Sequence, residues 1–161
     1  MTDLILTDRS DPAVAVVTLN RPERKNALTL AMWQGLAETF EALSDTPEIR
    51  AVILTGAGGA FCAGADISEF ETVRSNLHEG ELYGHTVERA NRAILECTKA
   101  TYAAVSGPAF GGGCGLALCC DFRFADRTAV FSIPAARLGI CLLYTSPSPR
   151  DATLSRMPSS A

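Results

Sequence analysis

The sequence predicts an α/β domain in which short strands alternate with amphipathic helices. Three observations carry this prediction: continuous runs of apolar and β-branched residues, helical patterns with a period of three to four residues, and a glycine-rich loop after each of two strands. This alternation favours a largely parallel sheet with right-handed connections. A chain of 161 residues is long enough for one domain with a sizeable core.

The first part of the chain predicts a strand, a helix and a second strand. Val14–Leu19 is a continuous β-branched run that stops at an Asn-Arg-Pro sequence, which is typical of a buried strand. Apolar residues then recur at spacings of three and four over residues 30–43, with Thr29 as the expected N-cap and Pro47 as the terminator. Residues 51–55 form the second predicted strand.

The same alternation continues after a polar segment. Residues 66–79 are expected to be polar and mobile. A helix over about 81–99 is predicted to follow, with Leu82, Ala90, Ile94 and Leu95 on its apolar side. The remaining predicted elements are a strand over 102–106, a glycine-rich loop, a short apolar helix over 114–120, and strands over 121–125 and 130–133. No linker and no internal repeat is evident.

Composition excludes several classes of protein. The chain has 14 Lys and Arg against 18 Asp and Glu, a net charge of −4, which argues against broad binding to nucleic acid or anionic membranes. No apolar run approaches the roughly 18 residues of a membrane span, and the acidic, polar start is not expected to be a signal peptide. We therefore expect a cytoplasmic protein. Its six cysteines are expected to be reduced, and without a CxxC pair they indicate neither a metal site nor redox chemistry.

The end of the sequence has a different character. Residues 141–161 are rich in proline and serine and show no hydrophobic period. Residues 141–151 resemble the in-frame translation of a transposase-type sequencing adapter, and residues 155–161 resemble the flow-cell end of the same adapter. We therefore expect residues 1–140 to form the domain, truncated at its C-terminus, and residues 141–161 to lie outside it.

Two glycine-rich loops follow predicted strands, at residues 56–66 and 107–115. They lack the GxxxxGK[ST] pattern of a phosphate loop, and Gly56-Ala-Gly58 matches GxGxxG only in part. The glycines could simply permit tight turns and close packing. Alternatively, each loop could supply one backbone N–H donor to a carbonyl oxygen that becomes an oxyanion.

Three ordered motifs favour the second interpretation. They are LNRPERKNAL at residues 19–28, VILTG followed by AFCAGADI at 52–56 and 60–67, and AFGGGCGL at 109–116 with Cys-Asp at 120–121. Together they resemble the enoyl-CoA hydratase/isomerase (crotonase) superfamily over residues 12–140. The resemblance implies a spiral of ββα units, an acyl-coenzyme A thioester as substrate with no separate cofactor, and a homotrimer or hexamer.

The resemblance also implies which residues form the site. The backbone N–H groups of Ala65 and Gly112 would form the oxyanion hole and stabilise an enolate-type intermediate. Arg24 and Lys25 are suitable charges for the phosphates of coenzyme A, although a solvated surface pair explains them equally well. The residues implied in substrate binding are Lys25, Ala27, Leu28, Ala63, Ala65, Asp66, Ile67, Ser68 and Gly112.

Two positions depart from the hydratase pattern. Relatives that hydrate a double bond have one glutamate directly after GGGC and another after a proline at a strand end, where this chain has Gly115 and Ala135. Neither residue can transfer a proton, so ordinary enoyl-CoA hydration is not expected. Isomerisation, decarboxylation or C–C bond chemistry stays open if another group supplies the acid or base.

Several side chains are candidates for such a role, each with a simpler alternative. Glu69, His85 and Glu88 could serve as acid or base, but a solvated helix surface is the preferred explanation for the latter two. Asp66 and Asp121 are expected to cap or brace turns. Cys62 and Cys114 are expected to be small core residues, since no histidine is matched to them. Arg137 could meet a charged acyl group.

Two other classes of function remain as alternatives. The chain could be a non-catalytic acyl-CoA-binding or RNA-associated member of the same superfamily that has lost the glutamates. It could also be a Rossmann-like nucleotide binder, in which case the glycine loops would hold phosphates.

Overall fold

The computed structural model describes residues 3–73 and 75–134, and within them it contains seven strands and four α-helices. The strands are β1 (Ile5–Asp8), β2 (Val14–Leu19), β3 (Ala51–Gly56), β4 (Ala100–Val105), β5 (Pro108–Phe110), β6 (Phe122–Ala125) and β7 (Val130–Ser132). The helices are α1 (Leu30–Ser44), α2 (Phe70–Val73), α3 (Leu77–Leu95) and α4 (Gly112–Cys119). Short 3₁₀ turns occur at Pro22–Arg24, Ala57–Gly59 and Ile67–Glu69.

Five strands form the main sheet in the order β1-β2-β3-β4-β6. β1 is antiparallel to β2, and every later neighbour is parallel. Alternate residues of β2, β3 and β4 are buried, so one face of the sheet forms part of the core. Trp33 and Phe40 of α1 and Ile94 of α3 are almost fully buried in the same core.

Segments that follow the main strands in sequence pair with one another in parallel and form a second, shorter row. β5 pairs with β7, and two isolated bridges extend the row, Leu28 to Ala65 and Cys62 to Ala109. After β2, β3 and β4, the chain passes first through this row and then into a helix. The expected succession of ββα units is therefore present.

The predicted elements around α1 are confirmed. Thr29 caps this helix, because its Oγ1 accepts a hydrogen bond from Met32 N at 3.2 Å. The helix ends at Ser44, three residues before Pro47. The strands predicted over 14–19 and 51–55 are present as β2 and β3.

Residues 66–79, expected to be polar and mobile and given no predicted helix, include helical structure. A 3₁₀ turn and α2 occupy residues 67–73, and α3 begins at Leu77 rather than at residue 81. The earlier start follows from Asn76, whose Oδ1 accepts a hydrogen bond from Glu79 N at 2.9 Å and so caps the helix. The helix ends at Leu95, four residues before the predicted end.

The apolar face predicted for α3 was wrong in part. Ala90 and Ile94 are buried as expected, but Leu82 and Leu95 are 56% and 63% exposed. The buried face instead includes Tyr83, whose hydroxyl accepts a hydrogen bond from Trp33 Nε1 at 3.2 Å. Packing against α1 therefore decides which side of α3 is buried.

Two strands were not predicted. β1 carries mixed polar and apolar residues, and β5 lies in the segment expected to be a glycine-rich loop. Both are short, and each is stabilised by pairing with another strand, β1 with β2 and β5 with β7. The expected roles of Ala135 and Arg137, the domain boundary at residue 140 and the tail at 141–161 lie outside the described residues.

Candidate active site

The second row brings the ends of the two glycine-rich loops side by side. Leu28 N donates to Gly64 O at 2.7 Å, and Asp66 N donates to Leu28 O at 2.8 Å. On the other side of the same segment, Cys62 N donates to Pro108 O and Phe110 N donates to Cys62 O, both at 2.9 Å. The stretch around residues 62–66 is therefore held between the 25–28 segment and β5.

This pairing places Ala65 next to Gly112. A methyl group added at Gly112 would lie 3.7 Å from Ala65 N. Over residues 3–73 and 75–134, neither the Ala65 N–H nor the Gly112 N–H donates to a protein acceptor. Gly112 is the first residue of α4, where a helix has no internal partner for its N–H. Two neighbouring backbone donors are thus available, as an oxyanion hole requires.

Two glycines allow the backbone to take this path. Gly64 has φ +99° and Gly111 has φ +50°, in the region that other residues rarely adopt. A methyl group at Gly64 would also lie only 2.8 Å from Phe110 O. Glycine is therefore needed immediately before each of the two candidate donors, Ala65 and Gly112.

Asp66 follows Ala65 and has two sets of partners. Its Oδ1 accepts hydrogen bonds from Ser68 N at 3.0 Å and Ser68 Oγ at 2.7 Å, and its Oδ2 lies 2.5 Å from Arg21 Nη1. The hydrogen bonds from Ser68 and then from Arg21 lower the pKa of Asp66 to about 2. The expectation that Asp66 caps a turn is confirmed, because it caps the 3₁₀ turn at Ile67–Glu69.

The residues implied in substrate binding lie on two adjacent segments and at the start of α4. Ala63 N donates to Lys25 O at 2.9 Å, which joins residues 25–28 to residues 63–68. Leu28 is buried, whereas the side chains of Lys25, Ile67 and Ser68 are exposed. The structure thus brings together Lys25, Ala27, Leu28, Ala63, Ala65, Asp66, Ile67, Ser68 and Gly112.

The three candidate acids and bases are in different environments. Glu69 Oε2 accepts a hydrogen bond from Leu30 N at 2.9 Å, so this carboxylate satisfies a free N–H at the start of α1. His85 and Glu88 lie on the exposed surface of α3. Gly115 lies in α4, and no atom lies within 4 Å of the position that a methyl group would take there.

The remaining candidates have structural roles, as expected. Cys62 is fully buried, and burial raises the pKa of its thiol to about 12. Burial also raises the pKa of Cys114, so neither thiol is activated as a nucleophile. Asp121 Oδ2 accepts hydrogen bonds from Thr101 N at 2.8 Å and from Thr101 Oγ1 at 2.9 Å, which braces the start of β6 against β4.

Sequence reasoning missed two residues that hold the site together, Arg21 and Asn26. Asn26 is fully buried with φ +55°, and its Nδ2 donates to Ala57 O at 2.9 Å and to Ala60 O at 2.6 Å. Its Oδ1 accepts a hydrogen bond from Arg21 N at 2.9 Å. An asparagine beside the Arg-Pro turn could have been recognised as a left-handed residue, but its partners are 31 and 34 residues away.

Within residues 3–73 and 75–134, no cluster of three or more His, Cys, Asp or Glu side chains is placed to hold a metal ion. None of their helices combines the length and the apolar character needed to cross a membrane.

The sequence of this chain is similar to those of one protein family. The family model for enoyl-CoA hydratase/isomerase matches residues 9–146. An enoyl-CoA hydratase of Alternaria alternata is 40% identical over 131 residues, which cover 78% of this chain and 40% of that protein. The short-chain-enoyl-CoA hydratase of Clostridium acetobutylicum is 42% identical over 128 residues, covering 79% of this chain and 48% of that protein. The chain thus spans about half or less of these relatives.

Solved structures agree with the sequence comparison. An enoyl-CoA hydratase/carnithine racemase from Magnetospirillum magneticum has a TM-score of 0.85 and 43% identity, over 89% of this chain and 54% of that one. An enoyl-CoA hydratase from Bacillus anthracis has a TM-score of 0.80 and 33% identity, over 86% of this chain and 53% of that one.

The main sheet also decides against the Rossmann-like alternative. A dinucleotide-binding sheet reverses its strand order and binds its ligand where the order reverses. Among the residues that the structure describes, β2, β3, β4 and β6 follow one another across the sheet in sequence order, with no reversal. That alternative was wrong, and the predicted crotonase-type α/β fold is confirmed. The chain belongs to the enoyl-CoA hydratase/isomerase family.

Proposed function

We propose that this protein acts on acyl-coenzyme A thioesters and stabilises the negative charge that develops on the thioester oxygen. The observation that carries the proposal is the pair of neighbouring N–H groups at Ala65 and Gly112, neither of which has a protein acceptor among the described residues. The named activities of the relatives support the same substrate class. No separate cofactor is required for this chemistry.

The two N–H groups would act together on one oxygen. They polarise the thioester carbonyl, which makes the neighbouring C–H or C–C bond easier to break, and they stabilise the enolate that results. Donors fixed in the fold need no reorganisation during the reaction, and removing one such donor typically lowers kcat by about 10²–10³-fold. Arg24 and Lys25 are exposed near residues 63–66 and are suited to the phosphates of coenzyme A.

The reaction itself is proposed to differ from simple hydration. Gly115 offers no acid or base at the position where the resemblance implies a glutamate, and Ala135 stands at the other such position. An isomerisation, a decarboxylation or a C–C bond reaction, with a proton donor or acceptor from elsewhere, fits these residues better. A non-catalytic acyl-CoA-binding or RNA-associated role remains the alternative, which the absence of both glutamates favours.

Assembly and location belong to the same proposal. The homotrimer or hexamer that the family resemblance implies is part of this proposal. The reduced state expected of the cysteines is consistent with a cytoplasmic location.

The oxyanion hole can be tested with two matched substitutions at Gly112. Proline is well tolerated at the first position of a helix, so Gly112→Pro removes the N–H without breaking α4. Gly112→Ala keeps the N–H, and both variants place a Cβ 3.0 Å from Trp33 Cζ2. The variants share this Cβ contact, so they differ in the N–H and in the ring Cδ that replaces its hydrogen.

The readout is the absorbance of 4-(dimethylamino)cinnamoyl-CoA at saturating protein. Hydrogen bonds to its carbonyl draw electron density through the conjugated system and shift the absorbance to the red. We expect the shift with the unmodified protein and with Gly112→Ala, and the loss of at least half of it with Gly112→Pro. The absence of a shift with the unmodified protein, or an equal shift with both variants, would refute the proposed hole.

Turnover separates the enzyme from its non-catalytic alternative. A panel of enoyl-CoA and malonyl-type CoA esters, followed by mass spectrometry of the products, is expected to show at least one converted ester. Binding of the panel without conversion of any member would favour the acyl-CoA-binding role instead.

A further inference from the structure

Arg21 stands out because one of its nitrogens contacts both segments that form the candidate site. Its Nη1 donates to Ala27 O at 3.0 Å and to Asp66 Oδ2 at 2.5 Å. Ala27 directly precedes Leu28, and Asp66 directly follows Ala65. The guanidinium therefore ties together the two sides of the bridge between Leu28 and Ala65.

We infer that Arg21 is a positioning residue that holds the Ala65 N–H in the direction needed for the oxyanion hole. This inference rests on the proposed function, since it assigns Arg21 to the same site. Arg21 acts through Asp66 and Ala27 and is not assigned any contact with the substrate.

The orientation of the Ala65 N–H depends on the neighbouring segment. The carbonyl of Gly64 accepts a hydrogen bond from Leu28 N at 2.7 Å. In a trans peptide the C=O and N–H point in opposite directions, so the Ala65 N–H points away from Leu28. Rotation of this peptide would require residues 25–28 to move relative to residues 63–66, and the Arg21 contacts oppose that movement.

Arg21 is itself held in place. Its backbone N donates to Asn26 Oδ1 and its backbone O accepts from Asn26 N, both at 2.9 Å.

The ion pair between Arg21 and Asp66 is largely buried, since only 17% of the Arg21 side chain and 10% of the Asp66 side chain are exposed. Removing one partner of such a pair leaves the other charge poorly solvated, so the remaining carboxylate would be expected to move toward water.

A merely structural role predicts a different result from a positioning role. Loss of stability alone would lower the fraction of folded protein without changing the environment of a bound thioester. A misdirected N–H would weaken polarisation of the carbonyl even when every site is occupied, because catalytic geometry is sensitive to displacements of about 1 Å. The absorbance shift of bound 4-(dimethylamino)cinnamoyl-CoA at saturation distinguishes these two roles.

The test compares Arg21→Met with Arg92→Met. Arg92 lies exposed on α3 and pairs with Glu96 at 2.8 Å, so its replacement makes the same chemical change outside the site. At saturating protein, with folding confirmed by circular dichroism, we expect Arg21→Met to lose at least half of the red shift. Arg92→Met is expected to keep the full shift.

If Arg21→Met does not fold, Asp66→Asn carries the same test. Asparagine keeps an acceptor for Ser68 but loses the charge that pairs with Arg21. A reduced shift with the folded variant supports the inference, and an unchanged shift at saturation overturns it while leaving the proposed hole intact. No shift with the unmodified protein would overturn both the proposed function and this inference.

Discussion

Two glycines in α4 provide a sharp test of how this helix packs against the candidate site. A methyl group at Gly113 would lie 2.4 Å from Cys62 O, 2.6 Å from Cys62 Cβ and 2.9 Å from Cys62 Sγ. A methyl group at Gly115, two residues later in the same helix, would have no atom within 4 Å. The same substitution, glycine to alanine, is therefore expected to have opposite effects at the two positions.

The magnitudes follow from helix propensity and from overpacking. Alanine is more favourable than glycine inside a helix by about 1 kcal/mol, so Gly115→Ala should stabilise the protein by about 0.5–1 kcal/mol. Gly113→Ala has the same gain, but overpacking typically costs about 1–3 kcal/mol. Because the closest atom is a backbone oxygen that also accepts from Phe110 N, we expect the upper end and a net loss of about 2 kcal/mol.

Urea denaturation followed by circular dichroism measures both changes. The expected result is a higher midpoint for Gly115→Ala and a lower midpoint for Gly113→Ala, with similar slopes, so that the variants differ by about 3 kcal/mol. Equal shifts of the two midpoints in the same direction would refute the close approach of α4 to Cys62.

Two other predictions concern the residues that hold the site together. Asn26→Ala removes the three hydrogen bonds of a buried amide and leaves a residue with a Cβ at φ +55°, so we expect a loss of about 3–5 kcal/mol by urea denaturation. Asn26→Gly should lose about 1 kcal/mol less stability than Asn26→Ala, because glycine adopts a positive φ without strain. An equal loss in the two variants would contradict a contribution of the positive φ to the loss in Asn26→Ala. The pKa of Asp66 falls from 3.8 to about 2 on folding, so its stabilising effect is present above pH 4 and is lost as the pH falls toward 2. Asp66→Asn should therefore flatten the acid-side decrease of stability in that window, and an unchanged profile in thermal melts between pH 2 and pH 5 would count against the ion pair.

Much of the fold could be predicted because it depends on local patterns. The β-branched run of β2 and the three-to-four-residue period of α1 predict their elements directly, and the Thr29 cap follows from its side chain. The α3 face could not be predicted in the same way, because leucines at positions 82 and 95 compete with Tyr83 for burial. Only the packing of Tyr83 against Trp33 decides between them.

The candidate site shows the same division. The sequence by itself determined the family motifs, the glycines before Ala65 and Gly112, and the missing side chain at Gly115, because each of these is a local property of the chain. Only the tertiary structure decided three other features. They are the juxtaposition of the two N–H groups, the contacts of Arg21 with Ala27 and Asp66, and the hydrogen bonds of the buried Asn26 amide. Each joins segments that are tens of residues apart, and hydrogen bonds between such segments depend on the path of the backbone rather than on the residues next to them.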